Sequence, residues 1–154
     1  MQLTSRAFIN CGSIPALYTC EGENISPPLE ISGVPKGAVS LVLIMEDPDV
    51  PKALRADGMF DHWVVFNIEP SRSNIPENAP SFGIMGSNTA GSNRYFGPCP
   101  PDREHRYFFT LYALDRELDL KEGATKSAVR HAMEGHILIK AGLMGRYVKR
   151  GKHS

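Results

Sequence analysis

Residues 40–46, Ser-Leu-Val-Leu-Ile-Met-Glu, constrain the possible folds more than any other part of the chain. They are apolar at both odd and even positions, whereas a strand with one face in water alternates apolar and polar residues. The following segment, Asp47-Pro48-Asp49-Val50-Pro51, contains two prolines, which cannot continue a hydrogen-bonded ladder. The sequence therefore predicts a short strand that is covered on both faces and ends at this turn.

Further apolar runs predict a sheet around this strand. Residues 62–68 and 106–114 are the other strong strands, residues 136–147 form a long strand, and residues 3–9 form a weak first strand. Gly142 and Gly145 are expected to bend the long strand or to form bulges in it. Because the strands are short and separated by turns rich in proline and glycine, a mostly antiparallel arrangement is favoured.

One helix is predicted, at residues 125–134. Thr125 can cap its first turn, an apolar stripe follows at helical spacing, and Gly135 suits the left-handed position after the helix. We therefore predict a mostly β chain with one or two short helices and an antiparallel β-sandwich-like fold. With 154 residues, a single domain over residues 1–150 and a flexible tail over residues 151–154 are expected.

The charge balance argues against nucleic acid as a partner. The 17 basic and 17 acidic residues cancel, and the one basic cluster, at residues 149–152, is typical of a solvated tail. No run approaches the ~18 apolar residues of a membrane helix. Residues 1–6 are not followed by the apolar segment of a secretory signal. We therefore expect neither nucleic-acid binding nor integral membrane association.

The three cysteines, Cys11, Cys20 and Cys99, are expected to be free thiols. Their number is odd, their density is low, and the chain is large enough to fold without cross-links. Together with the missing secretory signal, they predict a reducing compartment and a cytoplasmic location.

Polar side chains stand at the ends of the three strongest strands: Asp47, Asp49, Asp61, His62, His105 and Tyr107. Residues two apart on a strand point the same way, ~6.5–7 Å apart. His105 and Tyr107 are therefore expected to face one volume. The stiff loop before them offers backbone N–H donors only at Gly97 and Cys99, because its prolines have none.

These groups suit a small anion, since imidazole, phenol and backbone N–H groups all donate hydrogen bonds. Asp47 would repel an anion, so its expected role is to orient a histidine and raise its basicity. Purely structural roles are the alternatives, because Asp-Pro-Asp is an ordinary turn sequence and many histidines beside buried strands are structural. For Cys99, a nucleophilic thiol and a mere donor of its N–H both stay open.

No cofactor or metal site is predicted. The two histidines and two aspartates lack a metal-type spacing such as His-x-x-x-His. The Gly-x-Ser-x-Gly elbow, the His-Glu-x-x-His motif and a phosphate-binding loop are all missing from the sequence.

Four motifs in this order resemble the phosphatidylethanolamine-binding protein family. They are Tyr-Thr-Cys-Glu-Gly-Glu-Asn-Ile-Ser-Pro-Pro-Leu at residues 18–29, Asp47-Pro48-Asp49-x-Pro51, His62-Trp63, and Gly97-Pro98-Cys99-Pro100-Pro101 followed by His105-Arg106-Tyr107. The first motif is similar to that of the short bacterial and archaeal, kinase-inhibitor-like branch. The resemblance covers roughly residues 3–147.

The resemblance implies a β-sandwich-like fold with a pocket for anionic groups such as phosphate, acetate or phosphorylethanolamine, the phospholipid headgroup. The residues that match the family's pocket and its wall are Asp47, His62, Gly97, Cys99, Pro100, His105 and Tyr107. Two further residues, Asp49 and Trp63, match supporting positions next to the pocket.

The chain departs from the family pattern in three places. Ile31 stands where this branch often has a tryptophan, and Asp102-Arg103-Glu104 replaces a glycine-rich link, which could change access to the pocket. The C-terminal helical extension of longer eukaryotic members is missing. A small anion or a phosphorylated partner therefore fits better than a lipid.

The leading hypothesis is a non-catalytic binding protein that recognises a small anion and regulates a kinase or another signalling partner. One alternative is a weak hydrolase that uses an Asp-oriented histidine as general base. Another is a protein-interaction module with a vestigial pocket, which binds partners through residues 69–94. Long edge strands make a homodimer conceivable.

Overall fold

A computed structural model describes residues 1–150, and the predicted flexible tail, residues 151–154, lies outside the described residues. The elements, in chain order, are β1 (Gln2–Thr4), β2 (Gly12–Ser13), a single 3-10 turn (Ala16–Tyr18), β3 (Leu29–Ser32), β4 (Ser40–Asp47), β5 (Phe60–Ile68), β6 (Asn74–Ile75), β7 (Ile84–Met85), β8 (His105–Leu114), α1 (Lys126–Met133) and β9 (Ile137–Tyr147).

The strands form two sheets. The larger sheet has six strands in the order β2-β9-β8-β4-β5-β7, and the smaller sheet has three in the order β1-β3-β6. All pairs are antiparallel except β2 with β9, which is parallel. The predicted mostly β, sandwich-like architecture with one short helix is confirmed.

Strand β4 lies in the middle of the larger sheet and is covered on both faces, as its sequence predicts. Leu41, Leu43 and Met45 pack into the core between the two sheets, while Val42 and Ile44 belong to a second core under α1. All five side chains are at most 1% exposed. Since burying such a side chain contributes about 1.5–3 kcal/mol, this strand anchors both layers.

Helix α1 begins and ends where the sequence predicts. Thr125 caps it, and the Thr125 hydroxyl oxygen accepts a hydrogen bond from the Ala128 N–H at 3.2 Å. Gly135 has a φ of +79°, and Val129 and Met133 are the buried residues of the helix. Within residues 1–150 no helix is long and apolar enough to cross a membrane.

The predicted first strand is present, but its predicted extent to residue 9 is wrong, because β1 spans Gln2–Thr4 and the chain then leaves the smaller sheet. The Ser5 hydroxyl donates to the Pro28 carbonyl at 2.6 Å and accepts from the Ala7 N–H at 3.1 Å. This side chain therefore replaces the strand ladder with a local turn.

The alternative of a bulge at the two glycines of β9 is also wrong. The register of β8 with β9 runs without a shift through Thr110 opposite Gly142 and Tyr107 opposite Gly145. A Cβ at Gly145 would lie 2.5 Å from a side-chain atom of Ile14. This glycine is therefore explained by close packing and not by a bulge.

The expectation of three free thiols is wrong as well, since Cys20 and Cys99 form a disulfide and only Cys11 is free. The Cys20 N–H also donates to the Pro98 carbonyl at 3.1 Å, so the two loops lie side by side. The two cysteines are 79 residues apart in the chain, so no local sequence pattern indicates that they are in contact. The cysteines therefore give no argument for a reducing compartment.

Candidate functional site

Asp47 lies at the end of β4 and is fixed through both carboxylate oxygens. Its Oδ1 accepts a hydrogen bond from the Asp49 N–H at 2.7 Å, and its Oδ2 lies 2.6 Å from His105 Nδ1. Burial raises the pKa of Asp47, while the hydrogen bond with His105 opposes that rise. The carboxyl group therefore orients His105, which is the role expected for it.

His105, the first residue of β8, has a carboxylate at each ring nitrogen. Nδ1 faces Asp47, and Nε2 lies 2.7 Å from Oδ1 of Asp102. The His105 side chain is fully buried, whereas the Asp102 side chain is 40% exposed. A carboxylate can only accept hydrogen bonds, so each contact is a hydrogen bond when a proton lies between the ring nitrogen and the carboxyl oxygen. Neither ring nitrogen of His105 is free for another partner.

His62, near the start of β5, has a different environment. Its Nδ1 lies 2.5 Å from the Phe96 carbonyl oxygen, which can only accept, so Nδ1 carries the proton. Burial lowers the pKa of His62 to about 4, and the ring is therefore neutral at pH 7. Its Nε2 then carries a lone pair, and His62 offers an acceptor instead of the expected second donor.

Tyr107 lies two residues after His105 and faces the same side of β8, as the strand spacing predicts. Its ring stacks 6.4 Å from His105 and meets His62 edge-on at 5.2 Å. Within the described residues its hydroxyl group is buried and has no hydrogen-bond partner. Burial, reinforced by the negative charge of Asp47, raises the pKa of Tyr107, so the phenol keeps its proton.

A cavity of about 480 Å³ connects these groups, and its polar residues include Asp47, His62, His105, Tyr107 and Thr89. Apolar side chains form most of the remaining wall: Val50, Leu54, Phe60, Phe96, Pro100 and Pro101. Arg55 lies at the rim, where its Nε donates to the Met59 carbonyl at 2.9 Å. The cavity thus combines buried polar side chains with a wall that is otherwise mostly apolar.

The loop before β8 supplies Cys99 and Pro100 to the cavity wall, but not Gly97. The Gly97 N–H donates to the Asn24 side-chain oxygen at 2.9 Å, and that contact removes it as a donor for a ligand. The Cys99 N–H makes no hydrogen bond within residues 1–150 and remains available. Because its thiol is in a disulfide, Cys99 cannot act as a nucleophile.

Three polar or aromatic residues from the sequence prediction lie outside the cavity. Asp49 accepts two hydrogen bonds from the Arg106 guanidinium group, at 2.8 and 2.9 Å, and these hold the turn after β4. Trp63 lines a separate cavity of about 510 Å³ on the other side of Phe96. Asp61 points toward α1, where it pairs with Lys126 at 2.7 Å.

The sequence prediction missed two partners of the histidines, Asp102 and the Phe96 carbonyl. Asp102 stands three residues before His105, so the acidic substitution in the loop was a usable signal for it. A backbone carbonyl leaves no trace in the sequence, because every residue has one. No group of three or more His, Cys, Asp or Glu side chains is arranged to hold a metal ion in the described part of the chain.

Comparison with known proteins agrees with this architecture. A family model described as "Phosphatidylethanolamine-binding protein" matches residues 4–148. A UPF0098 protein of Chlamydia trachomatis is 54% identical over 149 residues, which are 97% of this chain and 99% of the relative. A UPF0098 protein of Methanothermobacter thermautotrophicus is 50% identical over 153 residues, with 96% and 98% coverage.

Two crystal structures have the same fold. A phosphatidylethanolamine-binding protein homologue from Chlamydia trachomatis has a TM-score of 0.94 and 53% identity, with 96% of this chain and 97% of that chain covered. Escherichia coli YbcL, described as a member of the mammalian family, has a TM-score of 0.86 and 27% identity, with 96% and 98% coverage.

The two packed sheets and the polar cavity between the strand ends define the chain as a β-sandwich-like binding protein. With a family model that covers nearly its whole length and relatives above 50% identity, it belongs to the phosphatidylethanolamine-binding protein family.

Proposed function

We propose that this chain is a non-catalytic binding protein whose cavity holds a small anion: phosphate, phosphorylethanolamine or a carboxylate. The observation that carries the proposal is the Tyr107 hydroxyl, which is buried at the cavity without a partner. An unsatisfied buried polar group costs about 1–3 kcal/mol, and a ligand oxygen that accepts its hydrogen bond would recover that cost.

The donors at the cavity include the Tyr107 O–H and the Cys99 N–H. His62 adds an acceptor, since its Nδ1 proton is used by Phe96. A ligand with both an oxygen acceptor and a hydrogen, such as a singly protonated phosphate, satisfies all three groups. Asp47 uses both carboxylate oxygens on protein groups, since Oδ1 accepts from the Asp49 N–H and Oδ2 contacts His105 Nδ1.

A weak hydrolase is less well supported, since a general base needs a nitrogen that can take a proton from water. Both nitrogens of the Asp-oriented histidine, His105, already have carboxylate partners. His62 has a free Nε2, but its Nδ1 faces a carbonyl instead of a carboxylate. Residues 69–94, the surface in the interaction-module hypothesis, contain two short strands. Strand β6 pairs with β3 in the smaller sheet, and β7 pairs with β5 in the larger sheet.

The central test is Tyr107→Phe, which removes only the hydroxyl. We expect the affinity for phosphate to fall about tenfold or more, because hydrogen bonds to charged groups contribute about 1.5–3 kcal/mol. The ligand-free variant should be as stable as the wild type or about 1 kcal/mol more stable, since an unsatisfied polar group is gone. NMR titrations with phosphate, phosphorylethanolamine and acetate, together with urea unfolding, measure both quantities.

Tyr112→Phe is the matched control, because Tyr112 lies on the same strand but packs into the core under α1. It should leave phosphate affinity unchanged. If no anion shifts the His62, His105 or Tyr107 signals of the wild type, or if both variants bind like the wild type, the anion proposal is wrong.

A protein partner such as a kinase, a homodimer and a cytoplasmic location remain predictions from the sequence. The same Tyr107→Phe variant tests the protein partner, because a partner recognised through a bound phosphate group would be lost from a pull-down with that variant. Sedimentation of the wild type tests the homodimer. Fractionation of cells that express the chain tests the cytoplasmic location.

A further inference from the structure

We propose that Arg55 is a specificity-determining residue of the cavity: its guanidinium group contacts the bound anion from the rim and favours a doubly charged phosphate over a singly charged carboxylate. This inference rests on the proposed anion site. It gives a role to the one lysine or arginine among the cavity-lining residues in the described part of the chain.

The buried groups of the cavity can orient an anion, but they do not neutralise it. Tyr107 keeps its proton, the Cys99 N–H is an uncharged donor, and His62 is neutral at pH 7 because burial lowers its pKa to about 4. Both nitrogens of His105 face carboxyl groups of the protein, so that ring directs no donor at a ligand. An anion that leaves water for a mostly apolar cavity loses hydration, and a cation beside it compensates that cost. Arg55 supplies this cation.

The turn that carries Arg55 is held in place by its own hydrogen bonds. The N–H groups of Leu54 and Arg55 both donate to the Pro51 carbonyl, at 2.9 and 3.1 Å. The Gly58 N–H donates to the Arg55 carbonyl at 2.9 Å, and the Val50 N–H donates to the Gly58 carbonyl at 3.2 Å. The backbone therefore fixes the point from which the Arg55 side chain extends along the rim.

The guanidinium group of Arg55 is anchored at one nitrogen and open at the other two. Its Nε donates to the Met59 carbonyl at 2.9 Å, whereas Nη1 and Nη2 make no hydrogen bond within residues 1–150. The Asp57 carboxylate lies 3.7 Å from Nε, but its side chain is 62% exposed, and such an exposed pair contributes little. The two open nitrogens form the planar fork that binds phosphate oxygens side by side.

Charge and shape both make this contact stronger for phosphate than for a carboxylate. The Coulomb energy is proportional to the charge of the ligand, so a dianion gains about twice the interaction free energy of a monoanion at the same place. A phosphate also has enough oxygens to contact the Arg55 fork while others accept from Tyr107 and Cys99. A carboxylate, with its two oxygens, cannot satisfy the rim and the buried donors together.

The experiment compares Arg55→Gln with the wild type by NMR titration. The probes are acetate and inorganic phosphate at pH 8, where phosphate is mainly a dianion with one proton. We expect phosphate affinity to fall about tenfold, the low end for a hydrogen bond to a charged group, because the Arg55 side chain is 42% exposed. For acetate, half the charge gives half the free energy, so its affinity falls only about threefold. The preference for phosphate over acetate therefore also falls about threefold.

Lys52→Gln is the matched control, because Lys52 lies in the same exposed turn but does not line the cavity. It removes one positive charge and should leave both affinities unchanged. The ratio of the two affinities separates specificity from structure. If Arg55 only supported the turn through the Met59 carbonyl, its replacement would weaken phosphate and acetate by the same factor and leave the ratio unchanged.

The possible outcomes are distinct. A smaller preference for phosphate in Arg55→Gln, with Lys52→Gln at the wild-type level, supports the proposal. An unchanged preference in Arg55→Gln, or an equal change in Lys52→Gln, overturns it while the anion site stands. If the wild type binds neither phosphate nor acetate, the anion site itself is wrong and this inference with it.

Discussion

At the scale of single residues, the two histidines of the cavity have opposite roles. His62 donates to a carbonyl and presents a lone pair, whereas both ring nitrogens of His105 contact carboxyl groups. The difference comes from the partner of each ring and not from the strand that carries it. A ligand therefore meets one free acceptor nitrogen, on His62, and one imidazole whose nitrogens both have carboxylate partners.

His62 is expected to make the protein sensitive to acid. In the unfolded chain its pKa is 6.5, but burial lowers it to about 4 in the folded protein. Between these values the unfolded state binds the extra proton, so stability is present above pH 6.5 and is lost as the pH falls toward 4. The loss across this window is about 3 kcal/mol.

The variant His62→Asn tests this, because an amide N–H can still donate to the Phe96 carbonyl but cannot titrate. Urea unfolding at pH 7 and pH 4.5 should show a smaller difference for this variant than for the wild type, by about 2–3 kcal/mol. The control is His131→Asn at a site where the side chain is 86% exposed. An equal difference in His62→Asn and wild type would contradict the assignment.

The side chains of this site were more predictable than their partners. Strand spacing predicts that His105 and Tyr107 face one volume, and the resemblance brings Asp47 and His62 to it. The contact between Asp102 and His105 depends on the path of an irregular loop, for which no periodicity exists. Gly97 was assigned to the wall, yet its N–H is used by Asn24, a choice that only the folded loop reveals.

At the scale of secondary-structure elements, β9 shows how one strand combines tight and open packing. Its last residues pair with both β8 and β2, while its first residues have β8 alone as a neighbour in the sheet. Gly145 lies in the crowded part, where Ile14 and Phe8 leave no room for a Cβ. Gly142 lies where the nearest atom to a Cβ would be the Phe109 carbonyl oxygen at 4.0 Å.

These two glycines make a matched pair of variants. Gly145→Ala is expected to lower the free energy of unfolding by about 1–3 kcal/mol, because the added methyl group overpacks the core against Ile14. Gly142→Ala should change it by less than about 0.5 kcal/mol. Chemical denaturation of both variants measures the difference, and equal destabilisation would refute close packing as the reason for Gly145.

The elements with a strong apolar pattern were predicted well, whereas the end of the first strand was not. Strand β4 and helix α1 are defined by many apolar positions and a cap, so their sequence signal is redundant. The short first strand is decided by one hydroxyl, that of Ser5, which reaches a carbonyl 23 residues away. A single long-range hydrogen bond leaves no periodic signal in the sequence.

At the scale of the whole molecule, the Cys20–Cys99 disulfide joins the N-terminal loop region to the wall of the cavity. The link spans 79 residues and includes β3 to β7 in the closed loop. A cross-link of this length restricts the unfolded chain strongly. It also fixes the loop that carries the free Cys99 N–H, so it contributes to both stability and the proposed site.

Replacement of both cysteines, Cys20→Ser with Cys99→Ser, is expected to lower the free energy of unfolding by about 2–5 kcal/mol. Phosphate affinity should also fall, because the disulfide no longer fixes the loop that brings Cys99 to the cavity wall. Cys11→Ser, which removes the exposed free thiol, should change neither quantity. Urea unfolding and NMR titration provide the measurements, and wild-type stability in the double variant would rule out this role of the disulfide.

The same disulfide determines what a protease does to the molecule. Lys52 and Arg55 lie in an exposed segment between the two cysteines, within reach of trypsin. A single cut there leaves two fragments that Cys20 and Cys99 still join covalently. The nicked chain therefore migrates as one species on a non-reducing gel and separates into two only after a reductant is added, so an apparently intact preparation can already carry a broken backbone beside the cavity.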